Sequence, residues 1–244
     1  MMDYSTFIEI ARRAFPWLTP EMEDRFAALD GLYREWNAQI NVISRKDMDG
    51  LYDHHVLHSL AIARYLQLHS SSAKMPVFAP ELAKKSSSSA KMPVFAPELL
   101  PAGTTVLDLG TGGGFPGIPL AILFPDAQFT LCDSVGKKII VADAVSKALG
   151  LRNVTTVNAR VETLGKTFDY VVSRAVATLE DLYPWVRGRF RESLLLLKGG
   201  DGLAEELARG MARHKLPKGS VATWPVDAWL PGEWFAGKFV VEVK

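Results

Sequence analysis

The sequence predicts an α/β fold: a mostly parallel, seven-stranded, Rossmann-like sheet preceded by a small N-terminal helical region. From Thr104 onward, short runs of β-branched and aliphatic residues alternate with helical stretches, which is typical of parallel strands covered by helices on both faces. The first run, Thr105–Leu109, leads directly into a glycine-rich turn. Before residue 69, apolar residues recur at helical spacing, which predicts the N-terminal region.

Two helices are predicted in that region. Thr19-Pro20 is a start signal, because threonine can cap a helix and proline suits its first position. The first helix carries apolar residues at helical spacing: Met22, Phe26, Leu29, Tyr33, Trp36 and Ile40. The second carries Leu51, Leu57, Leu60, Ala61 and Leu66.

The rest of the chain supplies the sheet. The predicted parallel strands are Thr105–Leu109, Gln128–Asp133, Val154–Asn158, Phe168–Ser173 and Ser193–Leu197. The helices between them are predicted at Pro116–Phe124, Lys137–Leu149, Leu179–Phe190 and Leu203–Lys215. The tail predicts a closing antiparallel hairpin from Ser220–Trp224 and Lys238–Val243.

Between the helical region and the sheet, the segment SSSAKMPVFAPEL occurs twice, at 70–82 and 87–99. Two copies without a packable periodic element do not make a solenoid, and their Ser, Pro and Lys content is typical of a linker. We therefore expect a helical region at 1–69, a linker with a duplicated segment at 70–103, and a cofactor-binding domain at 104–244.

Composition narrows the class of protein. The 28 Lys and Arg residues nearly balance the 27 Asp and Glu residues, so indiscriminate nucleic-acid binding through net charge is not expected. The single cysteine, Cys132, excludes an intramolecular disulfide. No apolar run approaches the roughly 20 residues of a membrane helix, and no secretory signal is visible. We expect a soluble, cytoplasmic, monomeric enzyme without a metal, and we interpret His54, His55 and His58 as packing or surface residues.

The turn Gly110-Thr111-Gly112-Gly113-Gly114-Phe115 carries the main chemical signal. Glycines let a ligand approach the backbone, and the helix that follows offers unpaired N–H groups. Gly110, Gly112 and Gly114 fit the spacing of S-adenosylmethionine sites, whereas Gly112, Gly114 and Gly117 fit that of dinucleotide sites. The first spacing is favoured because Gly110 directly follows the strand, and Asp108 could hold the cationic end of the cofactor. With this spacing, the predicted fold class is that of a class I methyltransferase.

Other strand ends supply further candidates. Asp133 closes the second strand, where a carboxylate can accept both ribose hydroxyls. The third strand ends near Val161 and Glu162, where the adenine would lie. Arg174 follows the fourth strand, where we expect its head group to emerge beside the transferring methyl, as a catalytic residue that orients the cofactor or the RNA and does not act as a base. Cys132 is interpreted as a core thiol.

These motifs resemble the small-subunit ribosomal RNA guanine-N7 methyltransferases, also called glucose-inhibited division protein B. The resemblance covers DLGTGGGFPGIPLAILFPDAQFTLCDSVGKK, FDYVVSRAVATLEDL, LLLLKGG and the N-terminal element WNAQIN. It implies a class I methyltransferase that uses S-adenosylmethionine on 16S ribosomal RNA or the small ribosomal subunit. It also implies cofactor contacts at Gly110, Phe115, Val161, Glu162 and Arg174. One departure is HHVLHSL at 54–60, where the family has arginine first and aspartate fifth.

RNA binding would rest on local basic residues, and two other functions stay open. The candidate phosphate contacts are Arg45, Lys46, Lys137, Lys138, Arg160, Arg187, Arg189 and Arg191. The glycine turn alone is also compatible with a small-molecule methyltransferase or a nicotinamide-dependent dehydrogenase.

Deleting residues 70–86 tests the interpretation of the duplicated segment. The deletion halves the predicted linker, and a twofold change in loop length alters the closure free energy by only about 0.6 kcal/mol. We expect the melting temperature and the methyl-transfer rate to stay close to those of the full chain. A large fall in melting temperature would show that both copies pack.

Overall fold

The computed structural model describes residues 2–69 and 99–244. Apart from Leu99, both copies of the duplicated segment lie outside the described residues. The prediction that they form a linker therefore stays a prediction, as does the division of the chain into three segments.

The second half of the chain forms the expected sheet. Its strands are β1 (Thr105–Leu109), β2 (Gln128–Asp133), β3 (Val154–Asn158), β4 (Phe168–Arg174), β5 (Phe190–Gly199), β6 (Val221–Pro225) and β7 (Lys238–Val243). They lie in the order β3-β2-β1-β4-β5-β7-β6. All neighbours from β3 to β5 pair in parallel, whereas β7 runs antiparallel to β5 and β6. The predicted mostly parallel, seven-stranded fold with a closing hairpin is confirmed.

Helices occupy the predicted connections. They are α1 (Tyr4–Ala14), α2 (Pro20–Asn37), α3 (His58–His69), α4 (Gly117–Leu123), α5 (Gly136–Ala148), α6 (Leu179–Val186) and α7 (Leu203–His214). A 3-10 turn at Arg45–Gly50 and a π-helical segment at Leu51–Leu57 lead into α3. Thr19 caps α2 as predicted, because its hydroxyl accepts the N–H of Met22 at 3.3 Å.

One predicted helix was too long. The expected helix Leu179–Phe190 ends at Val186, and Phe190 already belongs to β5. Pro184 lies inside α6 and has no N–H to continue the hydrogen bonding, and Gly188 follows with φ +73°. Because apolar residues keep a helical spacing past this turn, the sequence did not indicate that the chain changes from helix to strand there.

The sheet packs on both faces, and the N-terminal helices cover one of them. Phe7, Phe26 and Tyr33 of α1 and α2 share one continuous core with Val106 of β1 and Leu120 of α4. The opposite face packs in a second core with α6 and α7. The helical region is therefore built onto the sheet and lies close to its carboxyl edge. Among the described residues, no helix combines the length and the apolar character that crossing a membrane requires.

Candidate active site

A cleft of about 550 Å³ lies at the carboxyl ends of β1, β2 and β4. Parallel α/β sheets bind ligands at this edge, where the strand order reverses on the two sides of the first strand. The structure brings seven of the predicted site residues into its lining: Gly110, Gly112, Phe115, Asp133, Val161, Glu162 and Arg174. Residues that are distant in sequence thus meet around one cavity.

The glycines of the turn differ in what surrounds them. Gly110, Gly112 and Gly114 all have positive φ, between +57° and +112°. A Cβ on Gly110 would lie 2.4 Å from Val176, and one on Gly114 would lie 2.3 Å from Ile118. A Cβ on Gly112 would meet nothing within 4 Å. Gly112 is therefore the position where the bare backbone borders open space in the cleft.

Asp108 does not have the role that we expected from its position. Its side chain is fully buried and does not line the cleft. One carboxylate oxygen accepts the Thr111 hydroxyl at 2.6 Å and the Gly117 N–H at 2.8 Å, and the other has no partner in the described part of the chain. Burial raises the pKa of Asp108 to about 7. This carboxyl group braces both ends of the turn instead of holding the cofactor.

Asp133 lines the cleft, and its carboxylate also accepts hydrogen bonds from nearby backbone N–H groups. One oxygen accepts the N–H of Gly112 at 3.0 Å and the other accepts the N–H of Val135 at 2.8 Å. The side chain is only 8% exposed. Each carboxylate oxygen can accept a further hydrogen bond, so binding of ribose hydroxyls at Asp133 stays a proposal.

The N-terminal region forms one wall of the cleft, which the sequence analysis did not predict. Val42 lines the cleft and lies directly against Gly113, where a Cβ would come within 2.8 Å of it. The hydroxyl of Tyr33 donates to the Gly113 carbonyl at 2.8 Å, and its ring packs on Phe115 with a centroid distance of 4.8 Å. The WNAQIN motif lies in this stretch, but spacing along the chain gave no sign of which side chains reach the turn.

Arg174 lies against the cleft wall. Its guanidinium donates to the His54 carbonyl at 3.2 Å and to the Nδ1 atom of His55 at 2.9 Å, and lies 5.2 Å from the centre of the Phe115 ring. Burial lowers the pKa of Arg174, although a guanidinium remains protonated in proteins. In the described ranges, no carboxylate lies within 4 Å of it. The cleft therefore holds a cation that lacks an adjacent counter-ion from those residues.

Two of the predicted phosphate contacts have structural partners. Arg189 donates to the carbonyls of Trp185, Leu164 and Glu162, so it holds the loop after β3 in place. Arg191 pairs with Asp169 at 3.0 Å. Lys138 and Arg160, in contrast, line the cleft.

The cysteine and the histidines are packed as the sequence indicated. Cys132 is buried and donates to the Ala159 carbonyl, and burial raises the pKa of its thiol to about 11. The ring of His54 stacks on that of Trp234 with a centroid distance of 4.1 Å, and the ring of His58 packs edge-on against the same indole. Within residues 2–69 and 99–244, no group of three or more metal-ligating side chains comes together.

Together, the strand order, the glycine turn and the acidic residue closing β2 define a class I methyltransferase. Residues 93–224 match the family model of rRNA small subunit methyltransferase G (GidB). The chain is 47% identical over 202 residues to ribosomal RNA small subunit methyltransferase G of Porphyromonas gingivalis, covering 79% of this chain and 77% of that one. It is 43% identical over 208 residues to the protein of the same name from Christiangramia forsetii, covering 82% and 83%.

This chain belongs to the rRNA small subunit methyltransferase G family, which confirms the resemblance seen in the motifs. It is a methyltransferase, and its cofactor is S-adenosylmethionine. Among solved structures, the chain is similar to ribosomal protein L11 methylase from Lactobacillus delbrueckii subsp. bulgaricus, with 15% identity and a TM-score of 0.45 over 59% of this chain and 71% of that one.

The raised pKa of Asp108 predicts a specific pH dependence of stability. Between pH 4 and pH 7, the unfolded chain loses the proton of Asp108 while the folded chain keeps it, so folding becomes less favourable as pH rises. Asp108→Asn keeps an acceptor for Thr111 and Gly117 but does not titrate. We expect urea unfolding to show the wild type losing stability relative to Asp108→Asn across that window, by at most about 1.4 kcal/mol per pH unit. A pH-independent difference would contradict the assignment.

Proposed function

We propose that this chain transfers a methyl group from S-adenosylmethionine to N7 of a guanine in 16S ribosomal RNA, as free RNA or within the small ribosomal subunit. The observation that carries the proposal is the convergence of the predicted cofactor residues on one cleft beside an open Gly112, in a chain of this family. The relatives are named for small-subunit ribosomal RNA. The dehydrogenase and small-molecule alternatives are not favoured, because family membership points to an RNA methyltransferase. The expected cytoplasmic location and monomeric state stay predictions.

The cleft suits the parts of S-adenosylmethionine. The methionine portion would cross the turn at Gly110 and Gly112, and at Gly112 no side chain lies near the backbone. Its carboxylate would meet Arg174, whose cation has no adjacent carboxylate among residues 2–69 and 99–244. The ribose would lie near Asp133.

The adenine would lie at the loop after β3. Val161 is buried there and Glu162 is exposed, and both border the cleft. Backbone groups of this loop can read the edge of the base, and Arg189 holds the loop by binding the carbonyls of Leu164 and Glu162. The loop is therefore shaped before the ligand arrives.

The reaction needs little acid–base chemistry from the protein. Bound S-adenosylmethionine supplies an electrophilic methyl group on a sulfonium. Guanine N7 has a lone pair and no proton, so no group need be deprotonated before it attacks. In keeping with this, no histidine lines the cleft in the described part of the chain, and the raised pKa of Cys132 keeps its thiol protonated at neutral pH. The chain would act mainly by holding the base in line with the methyl group.

The cleft mouth offers surfaces for the acceptor. Val42 and the 37%-exposed Val176 flank the turn with apolar side chains. Lys138 and Arg160 border the same opening and could meet phosphates. Because the net charge of the chain is only +1, recognition would depend on local contacts and on the shape of the RNA.

Gly112→Ala tests the cofactor site, with Gly150→Ala as a matched control. Both glycines have similar positive φ, +57° and +63°, and a Cβ on either meets nothing within 4 Å. Both substitutions should therefore cost roughly 1–2 kcal/mol of backbone strain. Only Gly112→Ala should weaken S-adenosylmethionine binding in calorimetry, because only its methyl group occupies the cleft. Equal affinity in the two variants would show that the turn is not the cofactor site.

Methyl transfer to unmodified small-subunit RNA tests the acceptor. The purified protein is incubated with radiolabelled S-adenosylmethionine and either free RNA or isolated small subunits lacking the modification. We expect label in the RNA, and nucleoside mass spectrometry of the digest should identify 7-methylguanosine. Label at another position, or cofactor binding without transfer to either RNA substrate, would contradict the proposed acceptor.

A further inference from the structure

The contacts around Arg174 fix the state of a neighbouring histidine. A guanidinium has N–H donors and no acceptor, so the Nδ1 atom of His55, 2.9 Å from Arg174, must accept. His55 then carries its proton on Nε2 and donates it to Asp47, which lies 2.8 Å away. Burial, aided by the positive charge of Arg174, lowers the pKa of His55 to about 4, so the ring is neutral at pH 7. The three side chains thus form a directed chain of hydrogen bonds from Arg174 through His55 to Asp47.

The order of these three groups matters for the charge in the cleft. The side chain touching Arg174 is a neutral imidazole, and the carboxylate of Asp47 lies beyond it. A carboxylate in direct contact would form an ion pair with the guanidinium and compete with an anionic ligand. The imidazole orients Arg174 and leaves its positive charge available.

We propose that Asp47 and His55 are positioning residues for Arg174: Asp47 selects the Nε2–H form of His55, and that form holds the guanidinium against Phe115 at the cofactor cleft. The inference rests on the proposed cofactor site, because it assumes that Arg174 binds the carboxylate of S-adenosylmethionine. It assigns function to the 3-10 turn and the π-helical segment, which do not themselves line the cleft.

Asp47→Asn is the most direct variant. Asparagine offers His55 either a donor or an acceptor, so the ring can move its proton to Nδ1, where it would face the donors of Arg174. The matched control is Asp49→Asn, which makes the same change on the same 3-10 turn at an exposed carboxylate paired with Arg34. The dissociation constant for S-adenosylmethionine is measured by calorimetry on the full chain, and folding is checked by melting temperature. We expect the dissociation constant to rise about tenfold in Asp47→Asn, which corresponds to a loss of about 1.4 kcal/mol of binding free energy. In Asp49→Asn it should change by less than twofold.

Two further readouts separate positioning from general structural support. Nitrogen NMR of the histidine rings should show the Nε2–H form of His55 in the wild type and a mixture in Asp47→Asn. His55→Asn keeps a carbonyl oxygen near the position of Nδ1, so it should retain more affinity than His55→Ala.

The outcomes distinguish this inference from the proposed function. If the wild type and Asp49→Asn bind S-adenosylmethionine and folded Asp47→Asn binds it equally well, the positioning inference is wrong while the cofactor site stands. The same conclusion follows if the wild-type ring carries its proton on Nδ1. If the wild type does not bind S-adenosylmethionine, the proposed function fails and this inference fails with it.

Discussion

The site depends on a turn that must keep its backbone accessible to a ligand while it holds a fixed shape. The carbonyls of Cys132 and Thr111 accept four N–H groups of the turn, and two carboxylates add hydrogen bonds to it. Asp108, buried beneath the turn, accepts the hydroxyl of Thr111 and the N–H of Gly117, and Asp133 accepts the N–H of Gly112 from the neighbouring strand. Burying a carboxyl group is costly, and the raised pKa of Asp108 reflects that cost. In return, the Asp108 side chain ties the start of the turn at Thr111 to the start of the following helix at Gly117.

The N-terminal helices complete this arrangement from the other side. The buried side chain of Asn37 binds the backbone of Val42 and Ile43, which holds Val42 against Gly113. Tyr33 reaches the same glycine with its hydroxyl group. Because these helices share one core with the sheet, their packing sets the position of a cleft wall. Folding of the N-terminal region and formation of this wall of the cleft are therefore linked.

The sequence predicted the helices, the strands and the location of the site better than it predicted the roles of individual side chains. Strand periodicity and the glycine turn placed the sheet and the cleft, because both depend on local pattern. The contact between Arg174 and His55 joins residues 119 positions apart, and Val42 reaches the turn only through tertiary packing. Asp108 was misassigned because a strand-end carboxylate can face either the ligand or the turn. For Arg189, the sequence did not reveal that it also holds a loop by binding backbone carbonyls. Such choices are made by packing geometry, which a single sequence does not encode locally.

We propose that the cleft above the glycine turn binds S-adenosylmethionine with Arg174 as the partner of its carboxylate. A crystal structure with S-adenosylhomocysteine tests this most directly. We expect the amino-acid end of the ligand to lie across Gly110 and Gly112, its carboxylate within hydrogen-bond distance of Arg174, and the base beside Val161. A ligand bound elsewhere, or bound in the cleft with its carboxylate turned away from Arg174, would show that this assignment is wrong.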